Sequence, residues 1–396
     1  MKKVLILGGG IAGVEAAISL TKKVRNGRQL FDVTVVSDRD YLYVYPISIW
    51  VPTGGKSFED VCIPLAALAA AHGFKVVRET VRTVAAAERQ IVTDRGSHRY
   101  DYLIIALGAG KLKPKGSEHT LSICGNPSEA LRLKERLDTL LAAGGGRIAV
   151  GFGGNPLDSS AVRGGPAFEF LFNVEALLRR RGIRERFELT FFAPMASPGA
   201  RMGEKAVSAM QSFFGRLGVK TAFGRKIAEF VPDGVVLEDG ERIHADLTMF
   251  IPAGNGHEVL KSSGLPLNEA GFVRIDNHCE VPLPSGEKTA VYAVGDAAAL
   301  EGPDWRAKQG HIAEVMARCA ADNISAAEIG GEKRGYREHV NILCLMDMGN
   351  GGALVYRDDR RAVMLPLPVV GHWLKAGWGA YYRLSKLNRI PRLPFM

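Results

Sequence analysis

"KVLILGGGIAG" (residues 3–13) decides the fold. Residues 3–7 form an unbroken apolar run, as expected of a parallel strand buried on both faces. Gly8-x-Gly10-x-x-Gly13 follows at once. Then come "VEAAISLTKKV", of helical composition, and "DVTVVSD" (32–38), a second strand. Strand, glycine turn, helix and strand in that order form a βαβ unit with a dinucleotide-binding fingerprint. Gly8 makes the tight turn, Gly10 lets a pyrophosphate approach the backbone, and Gly13 lets the helix pack closely. The helix N-terminus, around Ala12, faces the phosphates. The acid that grips the ribose should end the second strand. Its slot holds Ser37, with Asp38 beside it, and either side chain suits a ribose hydroxyl.

Further strands follow. "FKVVRETV" (74–81) places Val81 near an adenine if the usual order holds. "YDYLIIALGAG" (100–110) is a buried strand that runs through Ala106 to Gly108. "RIAVGFGG" (147–154) opens a second unit, "FELTFFAP" (187–194) is its next strand, and "ADLTMFIPAGNG" (245–256) is another. "GFVRIDNHCEV" (271–281) and "TAVYAVGDAAAL" (289–300) return to the first unit. The expected fold class is α/β. Two Rossmann-like dinucleotide-binding domains (1–115 with 265–330, and 116–264) precede a C-terminal membrane-contacting segment (331–396).

The second turn departs from the first. "GFGGNPLDSSAVRGGP" (151–166) lacks the third glycine at its position, and Pro156 removes an amide. The next strand ends "FFAPMASPGARMG", with no ribose-binding acid. The phosphates of a nicotinamide donor find poor support here.

Bulk properties narrow the class. A chain of 396 residues suggests two or three domains, and 46% hydrophobic with 23% charged residues is ordinary for a soluble globular protein. A net charge of +9 suits anionic ligands or an anionic membrane surface. No stretch is long and apolar enough to span a bilayer, and no signal peptide is recognisable. Cysteines at 62, 124, 279, 319 and 344 are few, scattered and odd in number, so neither a disulfide framework nor a zinc site is indicated. No metal is expected.

"WLKAGWGAYYRLSKLNR" (373–389) reads as an amphipathic helix. Leu374, Trp378, Tyr381, Leu384 and Leu387 spread over one side, with Lys375, Arg383, Lys386 and Arg389 on the other. No acid occurs from 371 to 396. Such a helix suits a bilayer interface, although packing on the protein core is a serious rival.

"VYAVGDAAAL", paired with Gly8–Gly13 and "ALGAG", resembles the second FAD fingerprint of flavoproteins with two dinucleotide-binding domains. The resemblance implies that Gly295 and Asp296 meet the flavin, Asp296 at its ribityl chain, and that a helix starting at 297–299 faces the pyrophosphate or pyrimidine. Within that superfamily the chain resembles the sulfide:quinone oxidoreductase branch. The resemblance rests on "DYLYVYPISIWVPTG" (40–54), "SICGNPSEA" (122–130), "RAKQGHIAEVMA" (306–317) and "NILCLMDMGNGGALVY" (341–356).

The resemblance implies FAD as cofactor, Lys308 beside the flavin pyrimidine ring, and Cys344 and Cys124 as redox thiols. A fixed cation such as Lys308 would stabilise the charge that develops on a reduced flavin. Glycines 349, 351 and 352 would let the backbone near Cys344 pass close to a flat cofactor. Cys62, Cys279 and Cys319 read as structural. The partners implied are a small sulfur donor, a membrane quinone near Trp378 and Tyr381, and an anionic membrane surface. Nucleic acid is not among them, and a homo-oligomer stays open. The location implied is cytoplasmic and peripheral, on the inner face of the cell membrane.

Enzymes of this branch use a second cysteine just before the "GPAFEF" helix. Arg163 stands near that slot. Either Cys124 and Cys344 form the working pair, with Arg163 beside Cys344 lowering its pKa, or the chemistry differs. The alternatives are a type II NADH:quinone oxidoreductase and a flavin subunit that passes electrons to another chain.

Overall fold

The computed structural model describes residues 1–282 and 290–393. Thr289, the first residue of one expected strand, and residues 394–396 of the tail lie outside them.

β1 (Lys2–Leu7) has its last four residues buried, and the glycine turn leads into α1 (Ile11–Thr21). β2 (Phe31–Ser37), β3 (Lys75–Arg78) and β4 (Tyr102–Ile105) complete the first crossing. The chain then builds a second parallel sheet from β5 (Gly146–Phe152), β6 (Phe187–Ala193), β7 (Lys220–Phe223) and β8 (Leu247–Ile251), ordered β7-β6-β5-β8. α2 (Gly165–Arg180) connects β5 to β6. β9 (Val291–Ala293) returns to the first sheet, which is ordered β9-β4-β1-β2-β3 and parallel throughout. α3 (Gly310–Ile329) then packs on α1. An antiparallel sheet of β10 (Ile342–Asp347), β11 (Gly351–Arg357) and β12 (Ala362–Pro368) follows, and α4 (Val370–Lys386) lies against it.

Three local expectations need correction. "FKVVRETV" is two strands, because Glu79 and Thr80 turn the chain. The Thr80 amide donates to the Asp94 carboxylate at 2.8 Å, and residues Val81–Ala85 start a separate antiparallel meander. "GFVRIDNHCEV" forms single bridges rather than a strand. No helix starts at 297–299. Gly295–Ala297 is one 3₁₀ turn, and Ala299 donates to the Val273 carbonyl, so the helix waits until Gly310.

Candidate flavin and thiol site

The first glycine turn is shaped for a ligand. Gly8 has φ +108°, and a Cβ there would meet the Ala106 carbonyl oxygen at 2.4 Å. A Cβ on Gly13 would strike the Gly8 oxygen at 1.9 Å, whereas one on Gly10 would meet nothing within 4 Å. The outer two glycines thus pack against protein, and the middle one faces open space at the start of α1. No side chain caps that helix, and no acid occupies its first turn. Open backbone at an uncapped helix N-terminus fits a pyrophosphate.

The second fingerprint stands against the first. A Cβ on Gly295 would lie 3.0 Å from the Ala12 Cβ, so the Gly295–Asp296 turn rests on the start of α1. Ser37 ends β2 and is buried, its hydroxyl accepting from the Arg39 amide at 3.2 Å. Asp38 points outward, with its side chain 64% exposed beside Arg39. Val81 and Ala106 are buried, and Gly108 has φ +75° with nothing in front of it. These residues fit an extended dinucleotide along the carboxyl ends of the first sheet.

Lys308 lies just before α3. Its ammonium donates to the carbonyls of Asp296, at 3.2 Å, and Ala298, and it sits 3.8 Å from the centre of the Phe272 ring. Burial brings its pKa down to about 7, with Arg163 and Arg306 adding to the drop and Asp158 opposing it. The second fingerprint and the lysine that the resemblance implies therefore meet at one turn.

The thiols lie in different surroundings. Cys124 is buried, and burial pushes its pKa up while Arg163 and Lys111 pull it down. Cys344 is half-buried in the middle of β10, and burial and then the charge of Glu169 push it up to about 12, against Lys375. The cation facing Cys344 is thus Lys375, and Arg163 stands instead with Cys124 and the Asp296 carboxylate, to which it is ion-paired. The reason is local. Arg163 leaves the 153–164 loop at its end next to Asp296, whereas Lys375 enters from α4.

Sequence reading missed a buried network around Cys344. Glu169 on α2 accepts from the Asp347 amide at 2.8 Å and pairs with the Lys375 ammonium. Asp347 accepts from the Trp50 indole at 2.8 Å and contacts the His372 Nδ1 at 2.8 Å. The available signal was an acid inside the apolar run "AFEFLF" and a lysine inside "HWLKAGW". A charge in a buried stretch needs a partner.

The tail helix needs a second correction. Lys375 and Lys386 are buried rather than solvated. Lys386 pairs with Glu15 on α1 and, at 2.8 Å, with Glu314 on α3. Arg383 donates to the carbonyls of Glu59, Asp60 and Cys62. These partners come from distant helices and loops, which a helical wheel of the tail alone cannot display. Trp378 is half-buried and packs on Tyr382, ring centres 5.1 Å apart, while the Tyr381 hydroxyl accepts from the Leu393 amide at 2.6 Å. The exposed apolar surface gathers at the start of this helix and on the neighbouring sheet: Leu343, Val363, Leu365, Val370, Trp373 and Leu374, with Trp373 70% exposed.

Two parallel nucleotide-type sheets, with paired glycine fingerprints at the carboxyl ends of the first, define an FAD-dependent oxidoreductase. The chain belongs to the pyridine nucleotide-disulphide oxidoreductase family, whose sequence profile matches residues 2–319. It is similar to the sulfide-quinone reductase of Aquifex aeolicus, with 26% identity over 407 aligned positions, 96% of this chain and 90% of the relative. It is also similar to the type II NADH:quinone oxidoreductase of Staphylococcus aureus, with 21% identity over 328 positions, 76% of this chain and 80% of the relative. Among solved structures, the sulfide:quinone oxidoreductase of Aquifex aeolicus matches with a TM-score of 0.85 at 24% identity, over 100% of this chain and 94% of that one. NDH2 of Plasmodium falciparum matches at 0.74 and 12%, over 100% and 99%. These structural likenesses carry the fold.

Proposed function

We propose that this enzyme passes electrons from a small sulfur donor to a membrane quinone. Bound FAD supplies the two-electron store between them. Gly8, Gly10, Ala12, Gly13, Ser37, Asp38, Val81, Ala106, Gly108, Gly295 and Asp296 would hold it, with Lys308 as the fixed cation. One observation carries the reading. Cys344 and Leu343 are neighbours on β10, so they face opposite sides of the sheet. The thiol turns toward Glu169 and Lys375, while Leu343 joins the exposed apolar surface of β12 and α4. Donor chemistry and a quinone-side surface thus share one strand, with Trp378 and Tyr381 on the adjoining helix.

The same surface supports peripheral docking on the inner face of the cell membrane. Among the described residues, no helix is long and apolar enough to cross a bilayer. Exposed Trp, Val and Leu with nearby arginines suit the headgroup boundary of an anionic leaflet.

The NADH reading is the weaker one. Only residues 8–10 separate β1 from α1, whereas residues 153–164 separate β5 from α2. That loop is tied down by its own side chains. Asn155 donates to the Gly254 carbonyl at 2.8 Å, and Asp158 accepts from the Ser160 amide at 2.9 Å and from Asn268 at 3.1 Å. It leaves no short glycine turn for a second pyrophosphate. Anaerobic titration of the oxidised enzyme decides between them. Sulfide is expected to bleach the flavin and NADH to leave it oxidised; rapid bleaching by NADH alone would overturn the proposal.

A further inference from the structure

Asp347, the last residue of β10, is fully buried. One carboxylate oxygen accepts from the Trp50 indole at 2.8 Å and from the Gly349 amide at 3.3 Å, and the other lies 2.8 Å from the His372 Nδ1. Among the described residues, His372 is the only basic side chain that pairs with it. An ionised carboxylate only accepts hydrogen bonds, so Nδ1 carries a proton and Nε2 is the nitrogen left to exchange one. Nε2 has no partner among the described residues, and the His372 side chain is 32% exposed. The ring meets two indoles at steep angles, its centre 5.3 Å from that of Trp50 and 5.8 Å from that of Trp373. Close backbone contact fixes the arrangement. A Cβ on Gly371 would lie 2.6 Å from the Gly352 Cα, so glycine here lets the start of α4 press on β11 and bring His372 to Asp347.

Resting on the quinone reading above, we propose that His372, held by Asp347, is a proton donor to the quinone. Quinone reduction takes up two protons as well as two electrons, and bound FAD supplies the electrons. A quinone seated on the apolar surface of Leu343, Leu365, Val370 and Trp373 is shielded from bulk water, so its protons must be carried to it. His372 lies between Val370 and Trp373 in the chain and is part-exposed there, whereas Glu169 and Lys375 pair with each other inside the protein. Imidazole is the side chain that most readily both gives and takes a proton. In each turnover His372 supplies one of the two protons. The N–H bond at Nε2 of the imidazolium breaks, an O–H bond forms on the quinone, and the electron pair of the broken bond stays on Nε2. The Nδ1 proton remains on the Asp347 side throughout. The neutral imidazole then takes a replacement proton from water at the headgroup boundary.

The test isolates the quinone side. FAD-loaded enzyme is reduced anaerobically with dithionite and mixed with a short-chain benzoquinone, and flavin reoxidation is followed by stopped-flow absorbance. His372→Ala is expected to react about 100-fold more slowly than the wild type, the usual scale for a lost general acid. Added imidazole should restore part of the rate. Reoxidation by ferricyanide, which takes electrons and no proton, should match the wild type. If His372→Ala fails to hold FAD, His372→Asn carries the test. Its amide can still donate to Asp347 but has no proton to give, and the same loss is expected. An equal loss with ferricyanide overturns the donor role. A wild type that the quinone fails to reoxidise sinks the quinone reading and the donor role together, whereas a wild type that reacts while the variant keeps its full rate sinks the donor role alone.

Discussion

Lys386, on the last turn of α4, is ion-paired inside the protein with Glu15, on the helix that follows the first glycine turn. Arg392 adds a second cation to the same carboxylate at 2.8 Å, and Arg318 a third at 3.1 Å. The far end of the described chain is therefore fastened to the cofactor-binding helix by charge as well as by packing.

Glu15→Ala should destabilise the protein by about 3 kcal/mol, because removing one partner leaves buried cations uncompensated. Thermal melting checks this. Burial alone would raise the Glu15 pKa, but Lys386 and Arg392 hold it down to about 2. A depressed carboxylate stabilises the fold above its unfolded pKa and loses that contribution as pH falls toward the folded one. The wild type should thus lose this contribution between about pH 4.5 and 2. The variant should lack that part of the acid transition.

Cys344→Ser should abolish sulfide-driven flavin reduction while FAD content stays unchanged. Stopped-flow absorbance at neutral pH reads both. Full sulfide turnover in the variant would remove Cys344 from the donor path. Its raised pKa also predicts slow alkylation by iodoacetamide at pH 8, since the thiolate is the reactive form.

Lys308→Met should slow flavin reduction about 100-fold, the usual cost of losing one preorganised electrostatic contact. In the wild type the charged form dominates below a pKa of about 7. The rate of reduction should therefore fall as pH rises through that value. Lys308→Met should lack this limb, and a pH profile that keeps it would assign the titration to another group.

Trp373→Glu with Leu365→Glu should weaken binding to anionic vesicles at least tenfold, because each lost apolar anchor contributes about 1.5–3 kcal/mol when buried. Vesicle co-sedimentation measures it. Reduction of the bound flavin by sulfide in the same variant should be unaffected, since both side chains are exposed and lie outside the thiol and flavin residues.

The first glycine unit was legible in the sequence because its chemistry is local. A buried strand, a left-handed turn and an open helix N-terminus occupy adjacent residues. The contact of Gly295 with Ala12 could be read only through paired motifs, since nothing local joins them. Glu169, Asp347 and Lys375 were not legible as a group. Each is a single charge in an apolar stretch, and only the packing of α2, β10 and α4 brings them to Cys344. The tail showed the converse problem. Its helical period correctly separated apolar from basic positions, but periodicity does not say which side meets the protein. The acids on α1, α2 and α3 drew Lys375 and Lys386 inward, and the apolar face toward solvent formed largely around the start of the helix and β12.

The ion pairs of α4 also bear on how the chain is made. Glu15, Glu169 and Glu314 leave the ribosome well before Lys375 and Lys386 do. A nascent chain that has completed both parallel sheets still holds three buried carboxylates without their ammonium partners, a state that favours open, fluctuating packing. Final closure of the cofactor-binding helix thus waits for the last helix to emerge. A chain lacking residues 375–386 would leave Glu15, Glu169 and Glu314 without these ammonium partners and loosen the packing around the cofactor-binding helix.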